Sequence, residues 1–166
     1  MIKVLDNVFN EDDFVSINQH LQESKWSFTG GDDVGYFKSF FWHMNFLEKD
    51  NYFLSIYKKL INHLELKNTS IVRIYANGQT AGQSGVPHQD DGDLTILYFP
   101  TPWNHYYGGH LNFIENNNLK SVIEYKTNRM VVFPAKTIHY ASPPERQYDG
   151  LRISLAFKLN TNVINI

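Results

Sequence analysis

The sequence predicts a mainly β protein: two helices near the N-terminus that buttress one face of a two-sheet jelly roll. Three observations predict it. Two apolar stripes at helical spacing occur before residue 68, short β-rich runs alternate with turns from Thr69 onward, and no helical pattern returns after Lys67. At 166 residues with 42% apolar and 19% charged side chains, the chain reads as one globular domain, residues 1–166, and not as a disordered segment. Residues 1–68 would supply supporting helices and strands, and residues 69–158 the jelly-roll core.

Taken in order, Ile2–Leu5 alternates enough for a short strand. Asn10 is a helix cap followed by Glu11, Asp12 and Asp13, acids suited to the positive end of a helix over residues 11–23, where Phe14, Ile17 and Leu21 recur. Trp26–Thr29 and Tyr36–Trp42 read as strands around a Gly30–Asp33 turn. Phe53, Ile56, Tyr57, Leu60, Ile61 and Leu64 make the second helical stripe, between Asp50 and Leu66. His20 and His63 fall in these helices as surface residues. Eight strands are predicted beyond: Ile71–Tyr75, a short one through Pro87–His88, Leu94–Phe99, Gly109–Ile114, Val122–Tyr125, Met130–Phe133, Ile138–Ala141 and Leu151–Lys158. The polar run Glu115–Asn118 is short enough for a turn.

Composition excludes several classes of function. A net charge near −2, with pI ≈ 6.4 and no basic stripe, disfavours nucleic acid as a partner. No cysteine is present, so disulfides, thiolate ligands and Fe–S clusters are ruled out, leaving His and carboxylates as strong ligands. No signal-peptide pattern opens the sequence and no apolar run approaches the ~20 residues of a membrane helix. The expectation is therefore no membrane association and a cytoplasmic location, inside a host cell if the gene is carried by a phage.

The chemistry concentrates in Val86–Asp93, read with His139 and Arg152. On a strand, His88 and Asp90 would project to one face, with Gln89 turned away. A third ligand, for which His139 is the candidate, would complete two imidazoles and one carboxylate with open positions, the arrangement of non-haem Fe(II) oxygenases. Asp91 and Asp93 are rivals for the carboxylate, and His105 and His110 for an imidazole. Arg152 and Ser154, two apart, would present a guanidinium and a hydroxyl on one face to a ligand carboxylate. Tyr75, at the end of the first barrel strand, could add its hydroxyl to the same group or pack in the core.

The ordered set Tyr75-x-x-Gly78, His88-x-Asp90, Gly108-Gly-x-Leu-x-Phe113, Phe133-Pro134, His139 and Arg152-x-Ser154 resembles the Fe(II)/2-oxoglutarate-dependent oxygenases. It is most similar to their prolyl 4-hydroxylase-like branch, in particular the short bacterial and phage forms. The resemblance covers Ile71 to Lys158 and implies a double-stranded β-helix, the jelly roll shared with cupins. It implies His88, Asp90 and His139 as catalytic iron ligands, and Arg152, with Ser154 and Tyr75, as the 2-oxoglutarate site. The implied activity is oxygenation with Fe(II), 2-oxoglutarate and O2, with ascorbate as reductant. An unactivated C–H bond would be hydroxylated, by default in a prolyl residue of a peptide or protein. The chain departs from the family's pattern at His110, and either Tyr98 or Phe99 could face the cosubstrate. A free amino acid or small metabolite is the alternative substrate. A cupin-like or lectin-like binding jelly roll is the non-enzymatic reading. Trp103, His105, Tyr106 and Tyr107 could wall the cavity mouth or pack the barrel's edge, with Gly30–Phe40 and Asn77–Gly85 as candidate lids.

Overall fold

Capping side chains start both helices. Asn10 Oδ1 accepts the Asp13 N–H at 2.9 Å, and the acids of the first turn sit at the positive end of α1 (Glu11–Glu23). Asp50 does the same for α2 (Asn51–His63), accepting from Tyr52 N–H at 2.7 Å. Ile17 and Leu21 of α1 and Phe53, Ile56, Tyr57 and Leu60 of α2 are buried, the stripes that the spacing predicts. α2 ends before Leu66 because Glu65 turns left-handed (φ 54) and Leu66 N–H closes onto Ile61 C=O at 2.9 Å.

The computed structural model describes residues 2–23, 26–30, 33–34 and 37–161. Within them the strands are β1 (Lys3–Asp6), β2 (Ser27–Gly30), β3 (Asp33–Val34), β4 (Phe37–Lys38), β5 (Phe41–Met44) and β6 (Thr69–Gln79). After these come β7 (Leu94–Phe99), β8 (Leu111–Glu115), β9 (Asn118–Ile123), β10 (Arg129–Pro134), β11 (Ile138–Ala141) and β12 (Arg152–Thr161). An antiparallel sheet runs β1-β10-β7-β12-β6-β5-β2, a second runs β11-β8-β9, and β3 pairs with β4. One face of the large sheet packs on the helices through Ile74, Ile96, Leu155 and Phe157. Its other face meets the small sheet over Leu97, Phe99, Leu111, Phe113, Val131 and Phe133. Alternate residues of one strand thus feed two cores, and β7 is buried along its whole length. The expected jelly roll, buttressed by two helices, is the observed fold.

Several boundaries differ from expectation, for identifiable reasons. β6 does not stop at Tyr75 but pairs onward with β12, Gln79 opposite Arg152 and Gly78 opposite Ile153. Gly78, which reads as a turn residue, is in the strand because Leu151 packs over it; a Cβ there would lie 2.6 Å from Leu151 Cδ2. The start of the proposed Asn77–Gly85 lid is therefore sheet. β8 begins at Leu111 because Gly108 and Gly109 are left-handed (φ 66 and 68). β9 begins at Asn118, earlier than predicted, because Asn116 and Asn117 (φ 52 and 62) make a two-residue hairpin turn. The Gly30–Asp33 turn and the start of Tyr36–Trp42 fall partly on Gly31, Asp32 and Tyr36, outside the described residues.

Candidate active site

After Gln79 the chain leaves the large sheet and runs beside β11: Gly85 N–H donates to Ala141 C=O at 3.0 Å, and His88 and His139 exchange N–H···O=C bonds, each of 3.0 Å. Residues directly opposite in an antiparallel pair project to the same face, and the two imidazole centroids are 4.5 Å apart. Each Nδ1 is spoken for: His88 Nδ1 lies 2.8 Å from Val86 C=O and His139 Nδ1 2.9 Å from Thr137 C=O. A carbonyl can only accept, so the proton sits on Nδ1 and the Nε2 lone pair is presented to a metal. Asp90 is not on a strand, contrary to the periodicity argument. Its backbone is pinned instead, N–H to Ala135 C=O at 2.8 Å and C=O to Lys136 Nζ at 3.0 Å. The buried carboxylate is thereby turned inward, Oδ1 3.5 Å from His88 Nε2 and Oδ2 3.4 Å from His139 Nε2.

One ligand atom from each of His88, Asp90 and His139 lies within 4.8 Å of the others, so the three could hold a metal ion. The donor set suits a divalent ion of the Fe(II) type and leaves coordination positions open. The rivals are placed elsewhere. Asp91 pairs with Arg73 at 3.0 Å, Asp93 Oδ2 accepts Thr161 N–H at 3.0 Å, and exposed His105 packs on Tyr106. His110 joins no such group among the described residues, and its buried Nδ1 has no hydrogen-bond partner there.

Protonation states follow from the surroundings. Burial pushes the His139 imidazolium down to about 4 against the opposing pull of Asp90. Burial would raise Asp90, but the neighbouring His88 and the charge of Lys158 prevail and hold it below the usual carboxylate range. A neutral imidazole at His139 and an ionised carboxylate at neutral pH are the forms that ligate a metal.

Beyond the ligands lies a cavity lined by Tyr75, Asn77, Gln79, Arg152, Ser154 and Lys158, among others. Arg152 is 1% exposed and has no carboxylate within ion-pair distance among the described residues, so it pairs with neither Glu145 nor Asp149. Its Nε donates to Gly109 C=O at 2.7 Å and its Nη1 to Gln79 Oε1 at 3.0 Å. The plane lies against Tyr125, 4.7 Å from the ring centroid. Burial lowers its pKa to about 10 without removing the charge at neutral pH. Gly109 is required here: a Cβ would sit 2.9 Å from Arg152 Cδ, at a φ of +68. A buried cation with unspent donors beside a cavity is suited to receive a carboxylate. Ser154 lies on the Arg152 face, and Tyr75, half-buried, sits opposite Ala156.

Sequence reasoning missed Gln79, Lys158 and Thr95. The first two have the parity of Tyr75 and Arg152 on their strands, which is the signal that could have found them. Of its two readings, the aromatic loop takes the packing one at Trp103. Trp103 packs edge-on or tilted among Tyr107, Tyr125 and Tyr148 with centroids 4.5–5.5 Å apart, and donates Nε1–H to Gly108 C=O at 3.2 Å. It packs behind Arg152 and does not line the cavity, whereas Phe41 of β5 does.

A jelly roll enclosing this donor set is the arrangement of non-haem Fe(II) oxygenases. The chain belongs to the 2OG-Fe(II) oxygenase superfamily, whose family model matches residues 70–158. No curated protein matches. Among solved structures, a Trichoplax adhaerens prolyl hydroxylase in complex with a hypoxia-inducible-factor peptide shares 13% identity at TM-score 0.72, covering 96% of this chain and 83% of that one. HygX from Streptomyces hygroscopicus, with nickel and 2-oxoglutarate bound, shares 10% at TM-score 0.74, covering 97% and 83%. The viral collagen prolyl hydroxylase of Paramecium Bursaria Chlorella virus-1 shares 13% at TM-score 0.62, covering 95% and 94%. At these identities the likeness is one of fold.

Proposed function

We propose that this oxygenase is a hydroxylase in which His88, Asp90 and His139 hold Fe(II), while Arg152, aided by Ser154 and Tyr75, anchors the distal carboxylate of 2-oxoglutarate. The observation that carries the reading is the pair of Nε2 lone pairs and one ionised carboxylate within 4.8 Å, beside a buried guanidinium with no carboxylate of its own. With 2-oxoglutarate and O2, Fe(II) bound there supplies oxidative decarboxylation to succinate and carbon dioxide, coupled to insertion of one oxygen atom into a C–H bond. The Val86 and Thr137 carbonyls keep both imidazoles in the ligating tautomer. Arg152 fixes the diacid's orientation, since Gly109 and Gln79 hold the fork in one plane. Leu97, Leu111 and Ala141 give the cavity apolar walls that limit water.

The substrate we favour is a prolyl residue in a peptide or protein, a reading supported by the prolyl hydroxylases among the similar structures. A small-molecule substrate is the second reading, favoured by the likeness to HygX, which has been seen with hygromycin B bound. Ascorbate is the expected reductant for turnover. No helix among the described residues is long and apolar enough to cross a membrane, and we place the enzyme in the cytoplasm. The test is purified protein with Fe(II), 2-oxoglutarate, ascorbate and a proline-rich peptide, followed by mass spectrometry and succinate release. One added oxygen on the peptide, abolished by Asp90→Ala or His139→Ala, is the expected result. Turnover by either variant at the parent rate would overturn the ligand assignment, and oxidation of small molecules alone would select the second reading.

A further inference from the structure

Lys158 is a fully buried lysine on the inward face of β12, six residues beyond Arg152, 1% exposed. Its Nζ bonds to Asp90 Oδ2, the same oxygen that accepts Thr95 Oγ1–H at 2.7 Å, and lies 3.4 Å from that hydroxyl. Two donors therefore converge on Oδ2, while neither touches Oδ1. The backbone register enforces the arrangement, since Lys158 stands opposite Thr95 across the β12–β7 ladder. A lysine placed only to fill space here would be replaced to advantage by an apolar side chain, because burying a charge is unfavourable.

We propose that Lys158 is a positioning residue of the metal centre: with Thr95 it occupies Asp90 Oδ2, leaves Oδ1 as the single ligand oxygen, and holds down the site's affinity for a divalent ion by its fixed charge. The inference rests on the proposed metal-site reading. Two neutral imidazoles and one carboxylate would make a site of charge −1. Lys158 makes it neutral, so a divalent ion arriving alone meets no net attraction. Arrival of a dianion anchored on Arg152 restores that attraction, and by reciprocity the ion and the diacid strengthen each other's binding. Lys158 thus disfavours an iron centre loaded without its cosubstrate.

The test is calorimetric titration of the metal-free protein with Co(II), with and without N-oxalylglycine as an inert dianionic analogue, for the parent, Lys158→Gln, Lys158→Met and Lys158→Arg. Gln keeps a donor to Oδ2 without the charge, and serves should Met fail to fold. The expected result is at least tenfold tighter Co(II) binding by the Gln and Met variants without the analogue. The gain in Co(II) affinity produced by the analogue should shrink in both, while Arg behaves as the parent. Unchanged or weaker Co(II) binding by folded Lys158→Gln overturns the proposal and leaves the metal site standing. A parent that takes up no Co(II) even with the analogue present, or a His139→Ala variant that binds it as tightly as the parent, removes the metal site and the proposal with it.

Discussion

Replacing Arg152 by methionine separates a receptor from a strut, because the two roles predict different magnitudes. Burial drops the guanidinium pKa to about 10, a displacement that at ~1.36 kcal/mol per pKa unit makes the charge cost the free protein on the order of 3 kcal/mol. Against this stand two hydrogen bonds, to Gly109 C=O and Gln79 Oε1, each contributing ~1.5–3 kcal/mol when the donor is charged. The terms largely offset, leaving a net contribution of ~0–3 kcal/mol, so Arg152→Met should destabilise the metal-free protein by no more than about 3 kcal/mol. Loss of a two-pronged contact to a carboxylate should cost ~3–6 kcal/mol of 2-oxoglutarate binding, roughly a 10²- to 10⁴-fold rise in Kd. Urea unfolding measures the first, and anaerobic titration of the Fe(II)-loaded protein with 2-oxoglutarate, followed by its visible charge-transfer band, measures the second. A variant that unfolds far more easily yet binds 2-oxoglutarate as the parent does would refute the receptor argument.

Two further outcomes follow from geometry already described. Gly109→Ala places a Cβ 2.9 Å from Arg152 Cδ and 3.0 Å from Trp103 Cζ2 at a left-handed φ; 2-oxoglutarate affinity should fall at least tenfold while Co(II) affinity without the diacid stays within about threefold, by calorimetry. Asp6, hydrogen-bonded to Arg129 and Lys126, is held down to about 2. A depressed carboxyl stabilises the fold above its unfolded pKa of 3.8 and loses that contribution as pH falls from there toward 2. Asp6→Asn should therefore flatten the stability profile between pH 4 and 2, as thermal melts would show; an unaltered slope would mean that the surface pairs contribute nothing.

Much of this architecture was legible because its signals are local. Ile17, Leu21, Phe53 and Leu60 mark their helices by spacing alone, and Asn10 marks a helix start. His88-x-Asp90 was legible as a pair, though for a partly mistaken reason: Asp90 faces inward through the Ala135 and Lys136 contacts and not through strand alternation. Lys158 was hidden because a lysine near the end of a strand reads as solvent-facing until Asp90, far away in sequence, is known to lie over it. Gln79 was hidden because Asn77-Gly78 looks like a turn, and only the ladder with β12 keeps the strand going. Trp103 admits two placements by sequence because aromatic composition cannot distinguish a ligand wall from a platform behind the arginine. In each case the deciding partner is distant along the chain.

The mutual rung between His88 and His139 carries a consequence for how this centre tolerates change. The spacing of the two rings is dictated by peptide geometry at their shared bridge, not by the length of chain that separates them. The hairpin tip at Asn116–Asn117 lies in that interval and bears on neither ring. New chain termini or an inserted tag could be accommodated at this tip with both donors still in register, whereas a single residue added within β11 beside His139 would swing one ring out of reach.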